Sequence, residues 1–187
     1  SRDIDPLSVP LRPAATVMLV RDTSDAFDVF MLQRTMKAAF ASGMYVFPGG
    51  RVDDADGIDD IEQFCDGLND EHASSLLHMP HGGLAYWVAA IRECFEEAGV
   101  LLARHAKTNE VVAFDNSDMA RRFSDARTKI HDGSLSIIDL CRHEDLRLIT
   151  DAIHYVSHWI TPVGETRRFD TRFFVARAPD VQEPLHD

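Results

Sequence analysis

"RECFEEAGV", residues 92–100, brings three carboxylates within five positions of one another: Glu93, Glu96 and Glu97. On a helix, like charges three or four residues apart repel each other by about 0.2–0.5 kcal/mol per pair. Two arrangements would account for such a cluster in a water-soluble domain. The carboxylates either form a solvated acidic face or bind a shared cation.

The residues around this stretch predict an amphipathic helix. In "LAYWVAAIRECFEEAG", residues 84–99, a turn of about 100° per residue gathers apolar side chains on one side. These side chains are Val88, Ile91, Phe95 and Ala98. The three glutamates fall on the opposite side, and Gly99 stands where a residue in the left-handed conformation commonly ends a helix. The sequence therefore predicts a helix with an apolar back and a carboxylate front.

The segments before this helix predict strands and then an acidic insertion. "AATVMLV", residues 14–20, and "FDVFMLQR", residues 27–34, flank a polar turn and predict an antiparallel hairpin. Residues 45–47 predict a short strand that ends at a Pro-Gly-Gly sequence. Residues 51–83 are strongly acidic and interrupt this pattern, with a helix predicted near residues 61–68.

After the central helix, the sequence predicts a helical region between strands. Residues 110–114 have the composition of a strand. Residues 117–133 and 134–149 follow helical patterns, and the first of these ends at a glycine. Residues 154–162 and 166–179 return to strand composition, and the second segment alternates apolar with charged residues.

The bulk composition excludes some classes of partner. With 187 residues, 45% of them hydrophobic, the chain fits one globular domain. A formal net charge of −12 argues against nucleic acid as a partner, because phosphate backbones are bound by basic surfaces. The three cysteines form no CxxC pair, and no apolar run approaches roughly 20 residues. We therefore expect a cytoplasmic protein without disulfides and without a membrane partner.

The sequence resembles the signature box of the Nudix hydrolases. That box runs Gly, five residues, Glu, seven residues, then Arg-Glu-apolar-any-Glu-Glu-any-Gly-apolar, and residues 92–100 match its second half without a gap. Counted from Gly50, the first glutamate of the box is replaced by Asp56, and the arginine that should follow eight residues later stands at position 92. An acidic insertion therefore splits the box, as it does in the subgroup that resembles nudix type 19, a coenzyme A diphosphatase. Among the aspartates of the insertion, Asp56 alone could retain the structural role of the replaced glutamate.

The resemblance implies an α/β (α+β) fold in which a mixed β-sheet is sandwiched between helices. Residues 1–187 are expected to form a single Nudix domain, with residues 51–83 inserted in the box and a helical region at residues 115–157. A Nudix domain usually continues with another strand and helix after the point where this sequence stops. Either the sequence is a fragment, or a partner chain, as in a homodimer, supplies that element.

The resemblance also implies a divalent metal site for Mg²⁺ or Mn²⁺. Glu93 and Glu97 are the implied metal ligands, and Glu96 is a third ligand or adjusts a bound water. A backbone carbonyl of Gly49 or Gly50 commonly completes the metal shell in this family. A cation would neutralise phosphate oxygens and position the attacking water. We expect the repulsion among the glutamates to be relieved only when the metal binds.

Other charged residues receive weaker assignments. Arg92 stands four residues before Glu96, which favours an orienting ion pair within the catalytic site. Four further arginines either bind substrate phosphates or are surface charges, and they are Arg34, Arg51, Arg167 and Arg168. The general base is not identified, since Glu165 is a candidate by position alone and Glu144 falls inside a predicted helix.

The implied reaction is the hydrolysis of a phosphorus-containing anhydride. We expect a metal-dependent hydrolase that cleaves the pyrophosphate of a nucleoside diphosphate linked to another moiety X. In the subgroup that the sequence resembles, the small-molecule substrate is coenzyme A or an acyl-CoA. ADP-ribose, NADH and oxidised nucleotides are alternatives, because the box residues act on the diphosphate and do not recognise the moiety X. A non-catalytic Nudix-fold nucleotide sensor and a structural domain are the alternatives from other functional classes.

Overall fold

The computed structural model describes residues 9–33 and 43–185. Its strands, in chain order, are β1 (Leu11–Asp22), β2 (Phe27–Val29), β3 (Leu32–Gln33), β4 (Tyr45–Val46), β5 (Gly49–Arg51), β6 (Ala103–His105), β7 (Leu146–Leu148), β8 (Ile153–Ile160) and β9 (Arg168–Arg177). The helices are α1 (Asp70–Leu76), α2 (Leu84–Ala98), α3 (Ser117–His131) and α4 (Ile137–Glu144). Short 3₁₀ helices lie at Asp54–Gly57, Ile61–Phe64 and Thr150–Ala152.

The central sheet brings together parts of the chain that are distant in sequence. Its strand order is β2-β1-β9-β8, and β5 also pairs with β1. β1 runs parallel to β9 from the pair Leu11–Arg168 to the pair Val20–Arg177. The pairings of β1 with β2 and β5, and of β8 with β9, are antiparallel. The sheet is therefore mixed, and both the predicted α/β fold and the predicted N-terminal hairpin are confirmed.

α2 packs its apolar side onto one face of this sheet. Side chains of a strand alternate between its two faces. The residues of β1 that face α2 are almost fully buried, and they are Ala15, Val17 and Leu19. The ring of Trp87 in α2 lies 4.7 Å from the ring of Phe174 in β9, and its Nε1 donates to the carbonyl oxygen of Ile153 at 2.9 Å. Gly99 ends the helix in the left-handed conformation, at φ +67°, as predicted.

The acidic segment at residues 51–83 is integrated into the core. The helix predicted near residues 61–68 is wrong in extent, because only one 3₁₀ turn forms there and Gly67, at φ +79°, redirects the chain before α1. The side chain of Asn69 accepts a backbone N–H at 2.8 Å and caps α1. Several apolar side chains of the segment are buried, and they are Ile61, Cys65, Ala73 and Leu77. The segment therefore contributes to the stability of the domain.

Two predictions for the region after α2 are wrong. Residues 110–114 form no strand; Val111 makes one isolated bridge to Arg104, and the strand of this region is β6, which pairs with β7. The helical pattern at residues 134–149 stops at the end of α4, because Asp145 adopts φ +54° and the chain continues as β7. The predictions of α3, β8 and β9 are confirmed.

The cysteines and the helices bear on two expectations from composition. Cys65, Cys94 and Cys141 are free and buried. Burial raises the pKa of the Cys65 and Cys141 thiols to about 12, so these side chains act as small apolar core residues. Within residues 9–33 and 43–185, no helix combines the length and apolar character needed to cross a bilayer.

Candidate active site

The three glutamates of α2 are partly buried and are not a solvated face. The side chains of Glu93 and Glu96 are only 13% and 10% exposed. An acidic helix face that served only solubility would leave its carboxylates in water. The solvated-face interpretation is therefore wrong, and the carboxylates belong to a partly buried site.

Arg92 lies at the centre of this site. Its Nη1 donates to Glu96 at 2.6 Å and to Glu93 at 2.9 Å, so the predicted ion pair with Glu96 is present. Its Nη2 donates to the backbone carbonyl of Arg51 at 2.7 Å. The expectation that metal alone relieves the repulsion among the glutamates is wrong, because one guanidinium bridges two of them.

Asp56 holds Arg92 from the other side. This carboxylate is fully buried, and it accepts from Nε and Nη2 of Arg92 at 2.9 and 3.0 Å, the two-pronged geometry that suits a guanidinium. Burial raises the pKa of Asp56, while the hydrogen bond and charge of Arg92 counter that rise. Burial alone would lower the pKa of Arg92, but Asp56 and the nearby glutamates raise it above its usual value. Arg92 is therefore charged at every physiological pH, and Asp56 joins the two halves of the split box.

The glycines of β5 bring the backbone close to the glutamates. The N–H of Gly49 donates to Oε2 of Glu97 at 2.9 Å. A Cβ at Gly50 would lie 2.3 Å from Oε1 of Glu93, and one at Gly49 would lie 2.5 Å from the hydroxyl of Thr16. A side chain at Gly50 would therefore displace the Glu93 carboxylate, which explains why glycine is required at this contact.

Helix α3 supplies two site residues that the sequence analysis missed. Nε of Arg127 donates to the carbonyl oxygen of Glu96 at 2.7 Å, and its Nη2 donates to that of Glu97 at 3.4 Å. These carbonyls belong to the last turn of α2, where helix carbonyls lack intrahelical partners. Nδ1 of His131 lies 3.4 Å from Oε2 of Glu96. No local signal marks either residue, because both reach the site only through the packing of α3 on α2.

The donor chemistry of the site fits a divalent cation. Carboxylate oxygens are the ligands that Mg²⁺ and Mn²⁺ prefer. Burial, followed by the charges of Glu96 and Glu97, raises the pKa of Glu93 to about 7 even though Arg92 is adjacent. A bound cation would lower the free-energy cost of keeping the ionised Glu93 carboxylate in this partly buried, acidic site. Within the described ranges, no three His, Cys, Asp or Glu side chains already converge as a metal site. Arg92 and the Gly49 N–H donate to the carboxylates instead. The metal-ligand roles of the glutamates and Gly49 stay predictions.

The structure describes three of the four arginines predicted as phosphate ligands. Arg34 lies outside the described residues. The side chain of Arg51 is exposed, although its carbonyl contacts Arg92. Arg167 is exposed in the connection between β8 and β9, and Nε of Arg168 donates to the carbonyl of Thr161 at 3.1 Å across that connection. Arg168 therefore has a structural contact, and the phosphate-binding role of all four stays a prediction.

The two glutamates considered as general bases lie elsewhere. Glu165 is exposed in the same β8–β9 connection. Glu144 is the last residue of α4 and pairs with Arg122 at 2.8 Å, so its carboxylate has a structural partner. Neither position gives these carboxylates a contact with the glutamates of α2.

Comparison with known proteins agrees with this arrangement. A profile of the NUDT19 Nudix domain matches residues 68–187, which includes α2 and everything after it. The chain belongs to the Nudix hydrolase family. Its box differs from the family pattern by the insertion and by Asp56, and Asp56 pairs with the arginine of the second half of the box, Arg92.

Several proteins resemble this Nudix chain over most of its length. It is 30% identical to the acyl-coenzyme A diphosphatase NUDT19 of Homo sapiens, over 81% of the chain and 48% of that protein. It is also 30% identical to a putative nudix hydrolase 7 of Caenorhabditis elegans, over 94% of the chain and 47% of that protein. The chain thus spans about half the length of these relatives. A NUDIX hydrolase from Alicyclobacillus acidocaldarius shares the fold, with a TM-score of 0.74, 22% identity, and coverage of 96% of this chain and 75% of that one.

Proposed function

We propose that this Nudix domain hydrolyses the pyrophosphate bond of coenzyme A or of an acyl-CoA, with Mg²⁺ or Mn²⁺ bound at the glutamates of α2. The observation that carries the proposal is the partly buried set of Glu93, Glu96 and Glu97. Arg92, backed by Asp56, orients the first two, and the N–H of Gly49 donates to Glu97. The relatives named acyl-coenzyme A diphosphatase support the choice of substrate.

The chain's own residues prepare the site for a diphosphate. When bound, the metal would supply positive charge for the phosphate oxygens and for a bound water. Glu93 and Glu97 would hold it, with Glu96 as a third ligand or as a partner of the water, and with the carbonyl of Gly49. Arg92 fixes the directions of Glu93 and Glu96, and this preorganisation avoids reorienting the carboxylates during the reaction.

The reaction breaks one P–O bond of the anhydride. The oxygen of water bonds to one phosphorus atom, the other phosphate leaves with the bridging oxygen, and the proton lost by the water passes to that phosphate or to solvent. With coenzyme A as substrate, the products are 3′,5′-ADP and 4′-phosphopantetheine. The surrounding carboxylates exclude an anionic diphosphate unless their charge is compensated, so the proposed activity requires a divalent cation.

The test is product release from a panel of diphosphates in Mg²⁺ and in Mn²⁺. The panel contains coenzyme A, acetyl-CoA, ADP-ribose, NADH and nucleoside triphosphates. We expect metal-dependent turnover of the CoA compounds, and we expect Glu97→Gln to lower kcat about 100-fold or more, because glutamine keeps the size of the side chain but not its charge. Glu71→Gln, at an exposed position of α1, is the matched control and should keep full activity.

Each other outcome has a defined meaning. Turnover of ADP-ribose or NADH without turnover of CoA would support the hydrolase activity and exclude CoA as the substrate. Full activity of Glu97→Gln would overturn the role of the glutamates. If a folded protein that binds Mn²⁺ hydrolyses no compound of the panel, a nucleotide sensor is favoured.

A further inference from the structure

A second charged cluster lies on the sheet face that α2 covers. We call it the Arg172 cluster, and its members are Tyr86, His158, Asp170 and Arg172. Nη1 of Arg172 donates to Oδ1 of Asp170, and Nε2 of His158 contacts the same oxygen at 2.5 Å. The guanidinium of Arg172 lies over the ring of Tyr86, 5.6 Å from its centroid. Three elements, α2, β8 and β9, therefore hold one arginine in place.

Arg172 is buried without a full set of partners. Its side chain is only 7% exposed, and its Nε has no hydrogen-bond partner. Across residues 9–33 and 43–185, this Nε is the one buried side-chain nitrogen or oxygen left in that state. A buried donor without a partner costs about 1–3 kcal/mol, and more when it is charged. Such a group indicates a ligand that supplies the missing acceptor.

The missing acceptor, together with the charge of the cluster, favours an anionic ligand over a cation. Asp170 balances Arg172, and His158 adds either no charge or one positive charge, so the cluster is neutral or cationic. This contrasts with the carboxylates of the α2 site and with the chain's net charge of −12. The side chain of His158 is 34% exposed, which gives the cluster a route to solvent.

The sheet register places the cluster beside the proposed catalytic site. Arg172 pairs with Ala15 of β1, and Ala15 pairs with Gly50 of β5. Neighbouring strands are about 4.8 Å apart, so Arg172 and Gly50 are separated by about 10 Å. Tyr86 precedes Glu93 by two turns of α2, again about 10 Å along one helix face. The two sites therefore share one face at a separation longer than a diphosphate.

We propose that the Arg172 cluster binds a phosphate monoester on the ribose of the substrate while the glutamates of α2 act on its diphosphate. The inference rests on the proposed function, because coenzyme A carries such a group, the 3′-phosphate. The Nε of Arg172 lacks an acceptor, and a guanidinium matches the geometry of phosphate oxygens. A phosphate of the scissile diphosphate itself is too close to the metal site to reach the cluster.

The first test measures binding and does not depend on turnover. Isothermal titration calorimetry compares 3′,5′-ADP with 5′-AMP, two nucleotides that differ by one phosphate monoester. We expect the wild-type chain to bind 3′,5′-ADP about 10- to 100-fold more tightly, the range for hydrogen bonds to a charged group. Equal affinities would overturn the proposal, and this comparison needs no variant.

Variants then assign the preference to Arg172. Arg172→Gln should bring the ratio of the two affinities close to one. Arg172→Lys should keep part of the preference for 3′,5′-ADP, because the positive charge remains while the planar set of N–H donors is lost. Arg177→Gln is the matched control: it removes the same charge from the same strand at an exposed position, and it should keep the wild-type ratio. A wild-type ratio in a folded Arg172→Gln or Arg172→Lys protein would contradict the assignment.

The second test measures turnover of coenzyme A against 3′-dephospho-coenzyme A. We expect kcat/KM to favour coenzyme A by about 10-fold or more, through KM rather than kcat, and Arg172→Gln to abolish that preference. If neither compound is hydrolysed but 3′,5′-ADP still binds better than 5′-AMP, the proposed function fails and the subsite stands. If both are hydrolysed equally well, the subsite fails and the proposed function stands.

Discussion

Two buried arginines on the same side of the sheet differ in how completely they are paired. Arg92 donates to three carboxylates and one backbone carbonyl. Arg172 donates to Asp170 and keeps an Nε without a partner in the described part of the chain. Because burying an unpaired donor costs free energy, the complete set around Arg92 indicates a structural and orienting role. The incomplete set around Arg172 indicates a place for a ligand.

The largest effect in this comparison is expected from Arg92→Met. Methionine fills a similar volume, but it leaves Asp56 fully buried without a counterion and leaves Glu93 beside Glu96 unbridged. Breaking one side of a buried pair costs about 3–5 kcal/mol. Urea unfolding followed by circular dichroism should show a loss of this size.

The control for this substitution is a solvent-exposed arginine. Arg121 in α3 is 74% exposed and pairs with Asp118, so Arg121→Met should change the free energy of unfolding by less than about 1 kcal/mol. Equal losses for Arg92→Met and Arg121→Met would show that the pairing of Arg92 contributes little to the fold.

An intermediate effect of opposite sign is expected from Glu93→Gln in the presence of a chelator. Burial raises the pKa of Glu93 to about 7, so the folded state prefers the protonated form. The wild-type free energy of unfolding is therefore highest below about pH 4.5, where Glu93 is protonated in both states. It decreases as the pH rises through 7, because the unfolded state ionises first. Glutamine cannot ionise and avoids the loss. The variant should be more stable than wild type by about 3 kcal/mol at pH 8, and the difference should vanish near pH 4.

The measurement for Glu93→Gln is a series of urea titrations between pH 4 and 8. The control is Glu71→Gln, whose exposed side chain should leave the pH dependence of the wild type unchanged. Parallel pH profiles for wild type and Glu93→Gln would show that Arg92 compensates Glu93 completely, and the carboxylate would then gain little from a cation.

The site around Arg92 was largely predictable because its parts are close in sequence. The spacing of Glu93, Glu96 and Glu97 and the apolar stripe behind them are properties of one helix. The role of Asp56 followed from its position in the family pattern. The integration of the insertion did not, because the caps and 3₁₀ turns that shape residues 51–83 leave no periodic pattern.

The Arg172 cluster was not predictable, because it depends on strand pairing between distant segments. The alternation in β9 showed that Arg168, Asp170 and Arg172 share one face, but not which face. Parallel pairing of β1 with β9 sets Arg172 in the same row as Gly50. Sequence reasoning offered Arg168 as either a phosphate ligand or a surface charge, whereas the structure gives Arg168 a backbone partner and leaves Nε of Arg172 without one.

The smallest effect on stability is expected from Arg172→Met, and this result distinguishes most directly between a structural role and a ligand-binding role for the two buried arginines. The substitution removes the unpartnered Nε, and Asp170 keeps His158 as a partner at 27% side-chain exposure. Asp170 is therefore not left as a fully buried, unpaired charge, and loss of the unpartnered Nε offsets loss of the ion pair, so urea unfolding should show a change of about 1 kcal/mol or less in either direction. A loss as large as that of Arg92→Met would mean that Arg172 serves the fold. A near-neutral result, together with a lost preference for 3′,5′-ADP, would mean that the chain keeps this arginine for its ligand.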